Sequence, residues 1–584
     1  MKSRHLAGII EDSPSSANIS RLARLLDFLE IDWEPIASDV LSGAPNGALH
    51  RYHSILGPLT AAAVVWNSAG SGPRHSFFFY ATEDTAESGR SLRLLTGYKG
   101  DTLQTSGQKS VTANVSTRWA ALTGPMHGLR VTVKGRACDR IAKVKAGSSV
   151  SNIIEADQGA LFLCCQSRDH RAFVSCSSEI PDLDESLDGK GYDVTRQFLS
   201  AVPLLMYLKW AFRDVCWQAN EAGACLIFDD PLLKKRYGFC DFRLLDAQMK
   251  NHSFTTSIAM IPWNTRRTSA EMASLIRASE GRLSLSVHGC DHTLREFGTD
   301  NVSELSAKVE SANRRMKQHR ETTGISHDPI MIFPQGIFSR ESLRVLQEHG
   351  FVAAVNTEPL PFAARDALTI REAWALAMMR YASFPLFIRR YPADGLANFA
   401  FDILLGKPCL IVEHHTFFKA EHRDVLRFAN ALNSLNTTLR WRSLGDVIRR
   451  SYQWRTNCDG IVHVRMFANE LLLKNDCDVK RKYSIEKPNA DGVGIEEVTV
   501  NDGAVDWQTN GASIFFTCTI PPGKEALLRV RYTLHASNNG HNKHRSPFLR
   551  IAMRRYLSEF RDNFLSRHNS LMTVAKRTIA LVRH

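Results

Sequence analysis

Two short runs carry residue types able to do chemistry. The first is Asp229-Asp230-Pro231, directly after the apolar run ACLIF at 224–228. Adjacent carboxylates repel each other, and a divalent cation relieves this by binding one while the other is left as a base. At a strand–turn junction such a pair is more often solvated turn chemistry, so alone it is a weak signal. The second run is His288-Gly289-Cys290-Asp291-His292, after LSLSV at 283–287. Two imidazoles four apart on a helical turn point to one side and can share a zinc ion. With 21 histidines in 584 residues, on the order of one such pair arises by chance. Position therefore counts for more than spacing. Together Asp230, His288 and His292 offer one carboxylate and two imidazoles, leaving sites open for water and substrate.

The elements around these runs must bring them together. Apolar runs at 224–228, 257–261, 283–287, 330–333, 352–355 and 409–413 alternate with helical patterns at 242–251, 269–279, 302–322, 339–349 and 423–435. Strand–helix repetition at this spacing predicts parallel strands with helical crossovers, in an open sheet or a barrel. In both, reactive groups collect at the C-terminal ends of the strands. The His288 pair leaves the strand two after the one that ends at Asp229, so a parallel fold places both at one rim.

The rest of the chain reads differently. Residues 1–200 mix strands and helices, with 6–10, 61–66 and 77–80 as strands and 21–29 as a helix. This predicts a small α/β, flavodoxin-like layer, followed by hairpins from Arg130 to Cys176 and a helical stretch over 194–217. No GxGxxG, GxxxxGK[ST] or GxSxG motif occurs in that region. Residues 453–540 hold short strands separated by Asn, Asp, Gly and Pro, which predicts a β-sandwich. The last stretch, 541–584, predicts a basic amphipathic helix, with Met553, Leu557, Phe560 and Phe564 at helical spacing.

Composition bounds the answer. At 44% apolar and 23% charged residues, the chain is of globular type. Net charge is +13, and residues 541–584 concentrate it, with ten Lys or Arg against Glu559 and Asp562. Twelve cysteines without a Cys-x-x-Cys pair argue against a zinc ribbon or a disulfide scaffold; Cys225 and Cys409 read as buried small hydrophobes. The N-terminus has too short an apolar stretch for a signal peptide, and no run is long enough to span a membrane. The expected location is cytoplasmic, with peripheral contact at the inner membrane face through the basic helix. No nucleic-acid motif is present, and none is expected as a partner.

In this order the motifs resemble those of the polysaccharide deacetylase family of carbohydrate esterases. Phe228-Asp229-Asp230 and His288-x-x-x-His292 resemble its first two motifs. The strand IMIF, Pro334-Gln335-Gly336 and SLRVLQEHGF resemble the third motif and the helix after it, and CLIVE ending in His414-His415 resembles the last. The resemblance covers about residues 220 to 450 and implies a distorted (β/α) barrel over 201–452 that deacetylates an amino sugar, polysaccharide or glycan precursor. It implies Asp229 as general base, one zinc or similar divalent ion on Asp230, His288 and His292, and His414 as general acid, with His415 as fallback. Two departures stand out. Ile332 occupies the family's usual arginine position, and the Asp-Trp motif that follows is not recognisable, Trp374 being a poor fit. Around this centre, Trp263 is expected to stack on a sugar and Arg266 or Arg267 to hold an anionic group, with Pro334 and Gln335 also facing substrate. A solvated loop with one packed tryptophan explains Trp263 equally well. Asp291 reads equally as a partner orienting a histidine and as a turn residue. Two other readings stay open: an inactive carbohydrate-binding barrel, and a glycoside hydrolase using Asp229 and Glu413.

Overall fold

The computed structural model describes residues 5–11, 17–37, 48–68, 75–107, 109–145, 147, 149–167, 170–187, 191–456, 460–489, 493–533 and 548–567. At its centre lie parallel strands β1 (Ala222–Asp229), β2 (Thr256–Met260), β3 (Leu283–His288), β4 (Ile330–Ile332), β5 (Ala353–Asn356), β6 (Leu386–Ile388) and β7 (Cys409–Glu413), with β8 (Leu439–Trp441) beside the start of β1. Their order is β6-β5-β4-β3-β2-β1-β7. The chain just past β6 then closes the circle. Arg390 forms a parallel bridge with Ile411 of β7, its N–H donating to Leu410 and its carbonyl accepting from Val412, both at 2.9 Å. The result is a (β/α) barrel. Its strands are almost continuously apolar, as burial on both faces requires: Cys225, Ile227, Ile258, Val287, Ile332, Val355, Phe387 and Val412 are all at most 1% exposed.

Register makes one rim of the barrel. Asp229 lies opposite Ala259, Phe228 opposite Glu413, His288 opposite Ile332, and Asn356 opposite Ile388. The loops that leave these strand ends therefore start level with one another, and the last strand residues and these loops together carry Asp229, Asp230, His288, His292, Glu413 and His414.

Before the barrel, an eleven-stranded sheet begins with parallel strands in the order Trp33–Ala37, Ala7–Glu11, Ser54–Pro58, His75–Tyr80 and continues through His170–Ser175 into antiparallel hairpins. The expected strand over 61–66 is instead a helix, Ala62–Ser68. Its two alanines favour helix, and the strand position is already filled by Ser54–Pro58. The helix Phe198–Ala211 runs through the expected boundary at residue 200. Tyr207 shares hydrogen bonds with Ser54 and Ser76, and the helix joins one core with Phe173 of the first sheet and Phe228 of the barrel. After the barrel, a six-stranded and a four-stranded sheet enclose Val464, Leu471, Ile485, Ile514 and Val530. Gln218–Ala219, ahead of the barrel, pairs into the six-stranded sheet. Among the described residues the C-terminal helix runs Phe548–Asn563, and the rest of 541–584 outside 548–567 lies beyond the described residues. No described helix is long and apolar enough to cross a membrane.

Candidate active site

Asp229 is the last residue of β1 and only 4% exposed. A carboxylate at that depth demands a partner. It has one that the motifs did not name. Arg389, the residue after β6 and itself 3% exposed, donates from Nη1 and Nη2 to Oδ1 and Oδ2 at 2.6 and 2.7 Å. The fork is bidentate, the strongest geometry such a pair takes. Burial alone would raise this carboxyl, but Arg389, helped by His288 and His414, holds it down at about 2. Arg390, next along, turns the opposite way and pairs with Asp402 on the barrel's outer layer at 2.6 Å. A guanidinium thus reaches this carboxylate from just past the end of β6. Ile332 serves through its backbone: its carbonyl lies 3.1 Å from Nδ1 of His288. A carbonyl only accepts, so Nδ1 carries the proton and Nε2 keeps a free lone pair.

The His288–His292 segment is not a helical turn. It is a loop with left-handed backbone at Gly289 (φ 64°) and His292 (φ 57°). A side chain at 289 would meet Glu296 Oε2 at 2.4 Å and Pro334 at 2.4 Å, so glycine is needed there twice over. Glu296, 1% exposed, pins the loop: its carboxylate accepts the N–H groups of Cys290, Asp291 and His292 at 3.1, 2.7 and 3.1 Å. Removing it would leave three buried donors unpaired. Each costs roughly 1–3 kcal/mol, so Glu296→Ala should lower unfolding free energy by about 3 kcal/mol or more, and Glu296→Gln by clearly less, in urea titrations.

This loop brings the two imidazoles to 5.0 Å between ring centroids. His292 Nε2 lies 3.8 Å from Asp230 Oδ2, and Asp230 is itself held in the left-handed region at φ 55°. Burial pushes both histidines down to about 3; nearby Arg555 adds to this at His292. Both imidazoles are therefore neutral at physiological pH, the state a metal ligand must have. His292 Nδ1 is buried with no hydrogen-bond partner. Among the described residues, the three donors that all lie within 4.8 Å of one another are a different set, Cys290, Asp291 and Glu296. That set is already satisfied. Glu296 takes three N–H groups, Asp291 pairs with Arg315 at 2.6 Å, and burial pushes the Cys290 thiol up to about 12. Asp291 thus orients no histidine. Asp230, His288 and His292 fit a divalent cation in donor type and protonation, in a more open arrangement.

The other expected residues divide. His414 is exposed at the rim, and its charge is felt at Asp229. His415 is buried and turned away: it stacks on Phe239, and its Nε2 lies 3.4 Å from Asp562 of the C-terminal helix. Arg267 is also taken, paired with Glu559 and lying 4.5 Å above the Tyr556 ring, both on that helix. Arg266 is exposed and Trp263 partly buried in the loop after β2. Pro334 is buried, and Gln335 braces the histidine loop, donating to the Thr293 carbonyl and accepting from the Arg295 N–H. Trp374 is a core residue against Tyr192 and Phe401.

The same centre can now be set beside known proteins. No family model and no curated protein matches this chain. Solved structures do. One is a CE4 family pseudoenzyme from Bacillus anthracis, 11% identical over 38% of this chain and 65% of that one, TM-score 0.24. Another is a family 4 carbohydrate esterase from Streptomyces lividans in complex with acetate, 12% identical over 36% of this chain and 85% of that one, TM-score 0.21. A third is a 4-alpha-glucanotransferase from Thermococcus litoralis, 10% identical over 39% of this chain and 40% of that one, TM-score 0.28. CE4 family deacetylases and pseudoenzymes are thus among its structural neighbours. Those likenesses concern the fold; the chemistry rests on the side chains at the rim.

Proposed function

We propose that this chain is a divergent metal-dependent deacetylase, removing an acyl group from an amino sugar, polysaccharide or glycan precursor. The observation that carries the reading is the Arg389-clamped Asp229 beside two neutral buried imidazoles and Asp230 at one barrel rim. Asp230, His288 and His292 would hold a zinc or similar ion, which when bound would polarise the acyl carbonyl and acidify a water. Arg389 occupies one lone pair on each Asp229 oxygen, so each keeps another to accept a proton from water. His414 is the group positioned to protonate the departing amine or alkoxide; His415, held against Asp562, is not. Arg266, exposed in the loop after β2, would hold an anionic sugar substituent, and Trp263 would offer a face for stacking.

A second reading has one observation in its favour. Arg555 is 4% exposed and close enough to lower the proton affinity of His292, so it places positive charge where the cation would bind. A barrel that binds glycan without turning it over would tolerate that. The test is metal content of the purified wild type beside His288→Ala/His292→Ala, followed by acetate release from acetylated amino sugars. About one ion per chain, lost in the variant, with acetate released, is the expected result. No ion after reconstitution and no acetate would favour the inactive barrel; release of reducing ends instead would favour glycoside hydrolysis.

A further inference from the structure

The C-terminal helix Phe548–Asn563 packs on the barrel the wrong way round for an ordinary amphipathic helix. Its inward side is mostly polar, with Ile551 buried among the polar groups. Asp562, 2% exposed, accepts from Tyr237 at 2.6 Å and sits beside His415; Asn563 accepts from the Gly238 N–H at 2.8 Å; Glu559 pairs with Lys234 at 2.8 Å and with Arg267. Arg555 is buried on the same side. The outward side is apolar: Leu549, Met553, Tyr556, Leu557, Phe560 and Phe564 are between 52% and 82% exposed. Fourteen large apolar side chains are exposed among the described residues, and these six share one stripe, at i, i+4, i+7, i+8, i+11 and i+15. Scattered apolar residues need no explanation, but a continuous stripe marks an interaction surface.

Charge identifies the occupant. At about 100° per residue, Arg550, Arg554 and Arg561 fall together along one flank of the stripe. Arg561 pairs with Asp562 and lies near Asp230, and Arg554 is half-buried near His292 and Glu296, which leaves Arg550 exposed at the outer edge. The two acidic residues of the helix, Glu559 and Asp562, are both spent on the barrel. What faces outward is therefore apolar and cationic only, and the flanking sequence over 541–584 adds basic residues and no acid. An aromatic and aliphatic stripe edged by Arg550, in a stretch of basic sequence, matches the boundary of an anionic bilayer, apolar groups among acyl chains and cations at headgroup phosphates. A second copy of the chain would bring like charge against like charge. We propose that this helix lies in the plane of an anionic lipid surface, clamped to the barrel by its polar face, so that the reactive rim of the barrel faces the membrane.

The test is co-sedimentation of the full chain with phosphatidylcholine vesicles, with and without phosphatidylglycerol. Wild type should partition to the anionic vesicles and be released by salt. Replacing both outward residues, Leu557→Ser and Phe560→Ser, should weaken partition by roughly tenfold or more. Arg550→Gln should weaken it by about fivefold on anionic vesicles only. Neither variant touches the barrel clamp, since Arg550, Leu557 and Phe560 are all exposed, so circular dichroism and thermal unfolding should match wild type. Three results would overturn the proposal. One is no partition of wild type. Another is partition unchanged by the serine pair, which would assign it to the basic chain outside the helix. The third is a dimer in light scattering that the serine pair dissolves, which would make a second copy the occupant.

Discussion

Replacing Arg389 with alanine should destabilise the barrel by about 3–5 kcal/mol, the cost of leaving a buried carboxylate without its partner. Asp229 and Arg389 are 4% and 3% exposed, and both carboxylate oxygens are committed to the guanidinium. Without it, burial is the dominant influence on Asp229 and its carboxyl rises above the usual range instead of lying at about 2. The expected readings are a lower urea midpoint for the unfolding transition and, under the proposed function, loss of acetate release as the base becomes protonated near neutral pH. The double variant Asp229→Asn/Arg389→Leu removes both charges and should recover most of the stability while staying inactive. That contrast separates the fold's need for a neutralised pair from the chemistry's need for a carboxylate. A loss below about 1 kcal/mol in Arg389→Ala, typical of exposed pairs, would mean the ion pair does not form as described.

Much of this site was legible in the sequence because its residues sit directly after apolar runs, where a parallel fold gathers them. Asp229, Asp230, His288 and His414 follow β1, β3 and β7, and register alone brings them to one rim. Arg389 obeys the same rule: the run Pro385-Leu386-Phe387-Ile388 ends in two arginines, as ACLIF ends in two aspartates. It was missed because β6 is three residues long and lies in an irregular stretch, with only the five-residue helix Ile370–Trp374 between it and β5. A family's motif order directs attention to position 332, whereas the carboxylate needs only a guanidinium within reach. Glu296 and the C-terminal helix were illegible for another reason. One acts through backbone N–H groups and the other through contacts more than 250 residues away in sequence, as between Arg267 and Glu559. Neither leaves a periodic trace. The helix's stripe was visible as a pattern, yet which side faces the protein was not, because the pattern by itself favours burying the apolar side.

Acid should unfold the metal-free chain from an unusually high pH, and His288 and His292 are the main reason. An unfolded imidazole takes its proton near pH 6.5, whereas these two resist protonation in the fold until about 3, chiefly because they are buried. Their contribution is therefore complete above about pH 6.5 and is lost steadily as pH falls toward 3. The unfolded state binds more protons throughout that window, so stability rises with pH there, by about 1.4 kcal/mol per unit for each histidine. His327 and His422, which burial pushes down to about 4, act in the same direction over a narrower range. Asp229 adds its own loss only below about pH 4, where its unfolded carboxyl is protonated and the folded one, held at about 2, is not. Urea midpoints measured between pH 7 and 5 should thus fall steeply, and His292→Gln should remove about one proton from the slope. A flat profile over that range would mean the imidazoles are already charged or solvated. Under the proposed function zinc sharpens the test, since it would compete with protons for the same nitrogens. Added zinc should raise stability above pH 6, and the gain should shrink as pH falls. In His288→Ala/His292→Ala the zinc gain and about half of the slope should vanish together, while His327 and His422 keep the rest.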